Sequence, residues 1–493
     1  MYISLVLFLL SFSYNDAARI LAVFPVASIS HQVVFRPLTQ ELAKRGHEVT
    51  VITPDPAFPE GGTPANLTEI DVHFTYEYMR KFYKLSSSAE GDVVSQMKFA
   101  FEMMIEAFEV QMKSEGVQKI LEEGKFDLLL VEACVRQALA LSHVFQVPVI
   151  QVASAGPTNF NLDSFGTAWH PLLYPLPFSQ RVYNLTNWEK LTEIWKFYQL
   201  EDIFNKCGEK EDEANRRIFG SDIPSVAELG NNVEMLFLNV HPFWEDNRPV
   251  PPSVIYMGGL HQKPAQELPK DLKSYLNSSK NGVVYISFGT NVQPSLLPPE
   301  KVQILVKVFS ELPYDVLWKW DKDELPGRTS NIKISKWLPQ ADLLPITAGV
   351  PLIGFPMLGD QWYNAEKYVH HKIGKQLDLA TVNEEQFKNA INTVIEDKSY
   401  RQNMKNLRDL MRDQPMTPLE RAVWWTEHVL RHGGARHLRS PAANMSWTQY
   451  LELELILTVV ATALSSLLLF VVLVNYSWKH FTSAPKHKKV KKP

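Results

Sequence analysis

The sequence predicts an α/β protein: two doubly wound domains facing a cleft, followed by one C-terminal transmembrane helix. Three observations carry this. Short apolar runs closed by turns alternate with stretches of helical periodicity. The alternation pauses at a Pro-rich polar segment, residues 241–254, and then begins again. Residues 455–474 form an uncharged stretch of 20 residues, which at about 1.5 Å per residue spans a hydrocarbon core of roughly 30 Å.

The first half opens on RILAVFPV, residues 19–26, a short apolar run that suits a buried parallel strand. Val34, Leu38 and Leu42 then recur at helical spacing, and Gly46 follows as a stop. Pro37 sits inside this helix and is expected to kink or delay it. HEVTVITP, residues 47–54, closes a βαβ unit whose crossover should be right-handed. Helical patterns dominate residues 58–124, and FDLLLVEA (126–133), VPVIQV (147–152) and MLFLNV (235–240) read as further strands. Residues 159–207 are aromatic and Pro-interrupted, which suits an irregular region.

The second half repeats the logic. VVYISFGT (283–290), DVLWKWD (315–321), IKISKWLP (332–339) and VPLIGFP (350–356) read as strands. Helices are expected over 299–312, 359–374, 384–396, 399–412 and 421–432. Two such domains place a ligand in the cleft at the carboxyl ends of their strands.

Composition bounds the function. The chain has 493 residues and a formal net charge of -4, so no basic field draws nucleic acid. Most of its 12 Trp suit cores. Cys134 and Cys207 are its only cysteines. One bridge between them is conceivable, but a chain this long stabilises itself with cores, which favours two free, largely buried thiols.

The ends point to a membrane. Residues 3–12 are an apolar run of signal-peptide length followed by Ala17 and Ala18, without a basic flank before it. Lysines cluster after residue 474, which places the tail in the cytoplasm and the bulk of the chain in the lumen. Lys489 and Lys491 have the spacing of a dilysine retrieval signal, and they serve equally as a stop-transfer flank. Asn66, Asn184, Asn277 and Asn444 lie in glycosylation sequons on the lumenal side; Asn475 also fits but sits at the membrane edge. The expected location is the endoplasmic reticulum membrane, single-pass type I.

Several residues could carry chemistry. His31 sits where the first helix begins after the first strand, a place where a neutral imidazole can take a proton from a hydroxyl; alone, such a His is more often a cap or a surface residue. Glu132 ends a buried strand of the same half and could hold that ring and stabilise its imidazolium. Ser287 and Gly289, in SFGT, form a tight turn that lets backbone N–H groups approach phosphate. Trp337 and Gln340, in WLPQ, offer an indole face and an amide to a nucleobase. Asp360 and Gln361, at a helix start, can hold sugar hydroxyls, although Asp360 also suits a plain N-cap.

Taken together, these residues resemble the membrane-bound UDP-glycosyltransferases, including the UDP-glucuronosyltransferases, and particularly the insect ones. The segments that carry the resemblance are SHQVVFRPLTQELAKRGHEVTVITP, FDLLLVEACVRQALALSHVF, VVYISFGTN, WLPQADLL, GVPLIGFPMLGDQWYNAEKYV and PLERAVWWTEHVLRHGGARHLR, in family order from about residue 19 to the tail. The resemblance implies two Rossmann-like domains of the GT-B type. It implies transfer of glucose or glucuronate from a UDP-sugar to a small lipophilic acceptor, with inversion and without a metal or bound cofactor. His31 matches the general base, and Glu132 stands where the family often has Asp. Ser287, Gly289, Trp337, Gln340, Asp360 and Gln361 match donor positions. The implied division is a signal peptide at 1–18, an acceptor domain at 19–245, a donor domain at 246–440, a membrane helix at 455–474 and a basic tail at 475–493.

One stretch departs from the family. There, the segment after WLPQ holds a strand, a His-Gly-Gly loop with Ser, and a helix carrying a Glu; the loop binds diphosphate and the Glu binds ribose. Here only Pro345, Ile346, Thr347 and Ala348 separate Leu344 from Gly349. A strand, loop and helix need roughly twenty residues. The clean junction points to an omitted exon, a splice variant or a gene-model error. Two functions therefore stand open: a transferase, or a catalytically impaired, membrane-anchored binding protein or partner of full-length transferases, in homo- or hetero-oligomers.

Overall fold

The computed structural model describes residues 17–59, 61–80, 92–167, 170–262, 267–340 and 349–483. The apolar run 3–12, the shortened junction at 341–348 and the tail beyond 483 lie outside the described residues.

The first half is one parallel sheet of seven strands: β1 (Arg19–Val23), β2 (Glu48–Thr53), β3 (Leu67–Asp71), β4 (Leu128–Glu132), β5 (Val149–Ala153), β6 (Val233–Leu238) and β7 (Val254–Tyr256). Their spatial order is β3-β2-β1-β4-β5-β6-β7. The order reverses between β1 and β4, which pair from Ile20 with Leu128 to Val23 with Val131. A crevice opens at such a reversal because the flanking connections leave to opposite sides. Every residue of β4 is buried, as expected for a strand covered on both faces.

The first helix, α1 (Ile29–Lys44), is not delayed by Pro37: it begins eight residues earlier and runs through it. Proline removes one ladder hydrogen bond, whereas Val34, Phe35, Leu38 and Leu42 bury the same face against the sheet. Helices α2 (Val93–Met112), α3 (Glu115–Glu123) and α4 (Ala140–Phe145) cover the sheet, followed by α5 (Asn159–Phe165). β3 lies within a region read as helical; it is a half-buried edge strand whose apolar signal is weak.

Residues 187–207, read as irregular, belong to a 33-residue helix, α6 (Asn187–Phe219). All nearby prolines precede it, and Thr186 with Glu189 closes a reciprocal capping box at its start. A short α7 (Val226–Leu229) leads into β6. Cys134 and Cys207 are free thiols, Cys207 buried in the apolar layer between α2 and α6.

In the second half, β8 (Val283–Ile286), β9 (Asp315–Lys319) and β10 (Ile332–Ser335) form a parallel sheet in the order β10-β9-β8. β11 (Leu352–Gly354) and β12 (Gly374–Gln376) form a second, separate parallel pair. The first half supplies the yardstick. There, strands three, two and one are followed in space by strand four, then five and six. The order β10-β9-β8 reproduces three-two-one, and β11-β12 reproduces five-six. Among the described residues nothing occupies the position of the fourth strand. β8 and β11 are only half-buried along their whole lengths, where β4 in the first half is fully enclosed. The two pieces still share one core, in which Val316, Trp318 and Phe309 meet Met357, Leu379 and Phe387. Helices α8 (Lys270–Ser278), α9 (Pro299–Ser310), α10 (Gln361–His370), α11 (Glu384–Glu396) and α12 (Lys398–Arg412) complete this half.

The expected boundary at 245/246 differs at two points. β7 adds to the first sheet after that boundary. α13 (Pro418–His432) returns to the first half and buries Ala422, Val423 and Val429 with Ile20, Leu38 and Leu42. The last helix, α14 (Leu453–Thr482), is long and apolar enough to cross a membrane and is exposed throughout.

Candidate active site

His31 stands in the first turn of α1, above the carboxyl end of β1. The neighbouring Gln32 staples this turn in place. Its Nε2 donates to the carbonyls of Phe24 and Val26 at 2.9 Å each, and its Oε1 accepts from Thr53 Oγ1 at 2.9 Å. Phe24 stacks on Phe35 at 4.1 Å between ring centroids, which pins the loop to the helix.

Glu132, the last residue of β4, is fully buried. Its Oε1 lies 2.5 Å from His31 Nδ1, and its Oε2 accepts the Val26 N–H at 3.2 Å. The Ser154 hydroxyl lies 3.2 Å from the same ring nitrogen. With Nδ1–H given to the carboxylate, the lone pair sits on Nε2, and the ring keeps 30% exposure towards the cleft. Burial acts first and downward on the His31 pKa. The charge and hydrogen bond of Glu132, helped by the Asp360 charge, outweigh it and raise the pKa above the ordinary value. Glu is one methylene longer than Asp, and the pair closes nonetheless.

Nδ1, the carboxylate and Cys134 Sγ lie within 4.8 Å of one another, a set with metal-ligand chemistry. A bound ion would have to displace the proton that Nδ1 shares with Glu132. Burial and the Glu132 charge also hold the thiol well above its usual range, so the thiolate that binds metal is disfavoured.

The second half contributes from across the cleft. Ser28 Oγ donates to Asn291 Oδ1 at 3.2 Å, and Gln96 Nε2 donates to the Met357 carbonyl at 3.1 Å. Asp360 caps α10 without a side-chain bond to the helix N–H groups and instead accepts from Asn364 Nδ2 at 2.9 Å. Burial raises its pKa, opposed by Asn364 and His31. Gln361 spends its Oε1 on the N–H groups of Met357 and Leu358, at 2.8 and 3.2 Å. Ser287 Oγ accepts the Gly289 N–H and donates to Gln340 Oε1, both at 3.2 Å. Gly289 has φ +83°, which a side chain would strain. Trp337 is 65% exposed. Lys319 lies 5.0 Å over its ring and donates to the Gly289 carbonyl at 2.8 Å.

The structure thus groups His31, Glu132 and Asp360 at one place, and Ser287, Gly289 and Gln340 at another with Trp337 beside Lys319. Ser287 and Gly289 follow β8, and Asp360 follows β11. Gln32, Ser154, Lys319 and Asn364 were not singled out from sequence. Gln32 and Asn364 were within reach, since each sits inside a motif already quoted; Ser154 and Lys319 carry no local signal.

The comparisons with known proteins decide the family. The family model for UDP-glucoronosyl and UDP-glucosyl transferase matches residues 19–489. The chain belongs to this family. An ecdysteroid UDP-glucosyltransferase of Spodoptera littoralis nuclear polyhedrosis virus is 35% identical, over 92% of this chain and 96% of its own. UDP-glucosyltransferase 2 of Dactylopius coccus is 32% identical, over 99% and 98%. That second alignment runs to 517 positions against 493 residues here, so at least 24 positions are residues of the relative opposite gaps in this transferase. Among solved structures, the glycotransferase of kitacinnamycin superposes with a TM-score of 0.57 at 19% identity, covering 83% of this chain and 98% of that one. A UDP-glucose: anthocyanidin 3-O-glucosyltransferase in complex with UDP gives 0.55 at 15%, covering 85% and 100%. These structures share the GT-B fold. Enzymes of this family transfer a sugar from a UDP-sugar.

Proposed function

We propose that this transferase moves a hexose, glucose in preference to glucuronate, from its UDP-sugar to a small lipophilic alcohol or phenol with inversion. The observation that carries this is the His31–Glu132 pair at the strand-order reversal, open to the cleft opposite Asp360. Nε2 takes the proton of the acceptor hydroxyl as its oxygen attacks the anomeric carbon. The bond from that carbon to the UDP oxygen breaks on the opposite face, and UDP departs with the electron pair. Buried Glu132 stabilises the imidazolium that forms. Asp360 and Gln361 hold sugar hydroxyls, Trp337 and Gln340 the base, and Ser287 and Gly289 the phosphates; no metal takes part.

An apolar wall beside this base suits a lipophilic acceptor: Ala27, Met79, Ala100 and Leu358, backed by Tyr76, Phe99 and Met103. The names of the viral relatives favour an ecdysteroid-sized molecule. We assign residues 19–258 and 418–440 to the acceptor half and 268–412 to the donor half. The transferase is held by α14 in the endoplasmic reticulum membrane, single-pass type I, with its bulk lumenal. Asn66, Asn277 and Asn444 are exposed and open to glycosylation, although Asn444 Nδ2 also donates to Asn231 Oδ1 at 2.7 Å.

The fourth-strand position, unfilled among the described residues, supports a second role, that of a partner or binding protein without transfer activity. An anion site at the start of a helix needs the helix, and the described residues supply none between β10 and β11. Calorimetry of UDP binding by the purified full chain, beside a version with the strand-loop-helix restored, separates the two. Comparable binding by both supports transfer by this chain. Binding by the restored version alone leaves the partner role.

A further inference from the structure

The outer face of α6 carries exposed apolar side chains. Trp188, Leu191, Trp195 and Tyr198 recur at helical spacing, and all four are exposed, the two Trp at 77% and 65%. At 100° per residue they fall within one narrow stripe about three turns long. The opposite face of the same helix carries Phe197, Leu200 and Phe204, all buried, so the stripe is surplus to packing. Leu173, in the loop that leads towards the helix, is also 64% exposed. Contiguous apolar surface of this kind marks an interaction site.

Three observations say what covers it. First, the composition is that of a membrane interface, where Trp and Tyr rings place an apolar body in lipid and a polar tip in water. Second, Lys190 of the same helix is exposed and suits phosphate headgroups. Third, the chain leaves for its own membrane helix from the same neighbourhood. Phe197 of α6 packs on Leu162 of α5. The next residue, Asp163, offers its carbonyl to the Asn444 N–H at 2.9 Å. Arg439 binds Asn231 nearby, and α14 begins at Leu453, nine residues after Asn444. The stripe and the tether therefore flank one packed pair of helices, α5 and α6.

We propose that this stripe of α6 rests in the lipid surface that α14 crosses, as a second, interfacial contact that fixes how the transferase sits on its membrane. The proposal rests on the anchor assigned to α14 above. It also excludes one earlier expectation. Asn184 lies four residues before Trp188, and a glycan there would stand between stripe and lipid, so its sequon stays unoccupied.

The test labels single introduced cysteines in the full chain with an environment-sensitive fluorophore. The sites are Trp195→Cys on the stripe, Lys280→Cys on the exposed surface of the donor half, and Leu464→Cys within α14. The unsubstituted chain, whose own thiols are sheltered, is the blank. Each protein is reconstituted in phosphatidylcholine vesicles with and without brominated acyl chains. The expected result is loss of emission to brominated lipid at 195 and 464 and none at 280. Loss at 464 with none at 195 overturns the interfacial contact and leaves the anchor standing. No loss at 464 overturns the anchor itself. Emission at 195 that depends on protein concentration but not on brominated lipid means a second copy covers the stripe, and that also overturns the proposal. So does a native protein found glycosylated at Asn184.

Discussion

His31 and Glu132 form a unit in which each residue sets the other's chemistry. Glu132 is buried, so its charge is tolerated only because it is bonded to the Val26 N–H and the ring. In an active chain, His31→Ala should lower turnover by about 10²–10⁴-fold, read as initial rate at saturating donor; full activity would remove it as the base. The base works when neutral, and its pKa is raised, so the rate should climb with pH through a midpoint above the ordinary histidine value. Glu132→Gln removes the main upward influence and leaves burial, so the midpoint should move to lower pH while the plateau falls. The stability link has the opposite sense. The pair's extra stability is fully present below the unfolded histidine pKa of about 6.5 and fades as pH rises through the folded value. A pH series of thermal unfolding on wild type and Glu132→Gln checks it.

At the scale of elements, α10 matters because it carries Asp360 at one end and is clamped at the other. Lys367 is fully buried; its Nζ bonds Asp246 at 2.5 Å, and Asp246 also accepts from Tyr183 Oη at 2.7 Å. Trp244 Nε1 donates to Asn364 Oδ1 at 2.8 Å, which ties the same helix to the segment 241–248. This clamp holds the donor-side helix against the acceptor half. Lys367→Met should destabilise the fold by about 3 kcal/mol, the low end for breaking a buried pair because Asp246 keeps Tyr183 and some solvent. Denaturant unfolding measures it, and an unchanged midpoint would mean the clamp is slack. Thr186→Ala removes one side of the capping box of α6 and should cost about 1 kcal/mol in the same assay.

At the scale of the whole molecule, the proposed function turns on the position between β8 and β11, which no strand among the described residues fills. β8 and β11 are half-buried along their lengths, and among the described residues no strand pairs with the facing edge of either. Restoring a strand-loop-helix there should raise the unfolding temperature as well as create UDP binding, because both follow from filling one position. Restored binding with no gain in stability would mean that the two pieces, joined through Phe309, Met357 and Phe387, are already fully packed.

Much of this was legible in the sequence, because strands buried on both faces are written as apolar runs and the residues at their ends fall into a few positions. β1, β4 and β9 were visible in that way, and so were His31 and Glu132 as strand-end residues of one sheet. α6 was not, because Trp, Tyr and Phe on two opposite faces hide a helical period behind an apparently irregular aromatic segment. β3 and β12, at sheet edges, carry little apolar signal. The sequence by itself determined the family, the two-half architecture and the length missing after Gln340. Only the tertiary structure decided that His31 Nδ1 meets Glu132, that α13 packs back on the first half, and that no described strand joins β8 to β11. Those are contacts between residues far apart in the chain, and local periodicity holds no record of the distance between them.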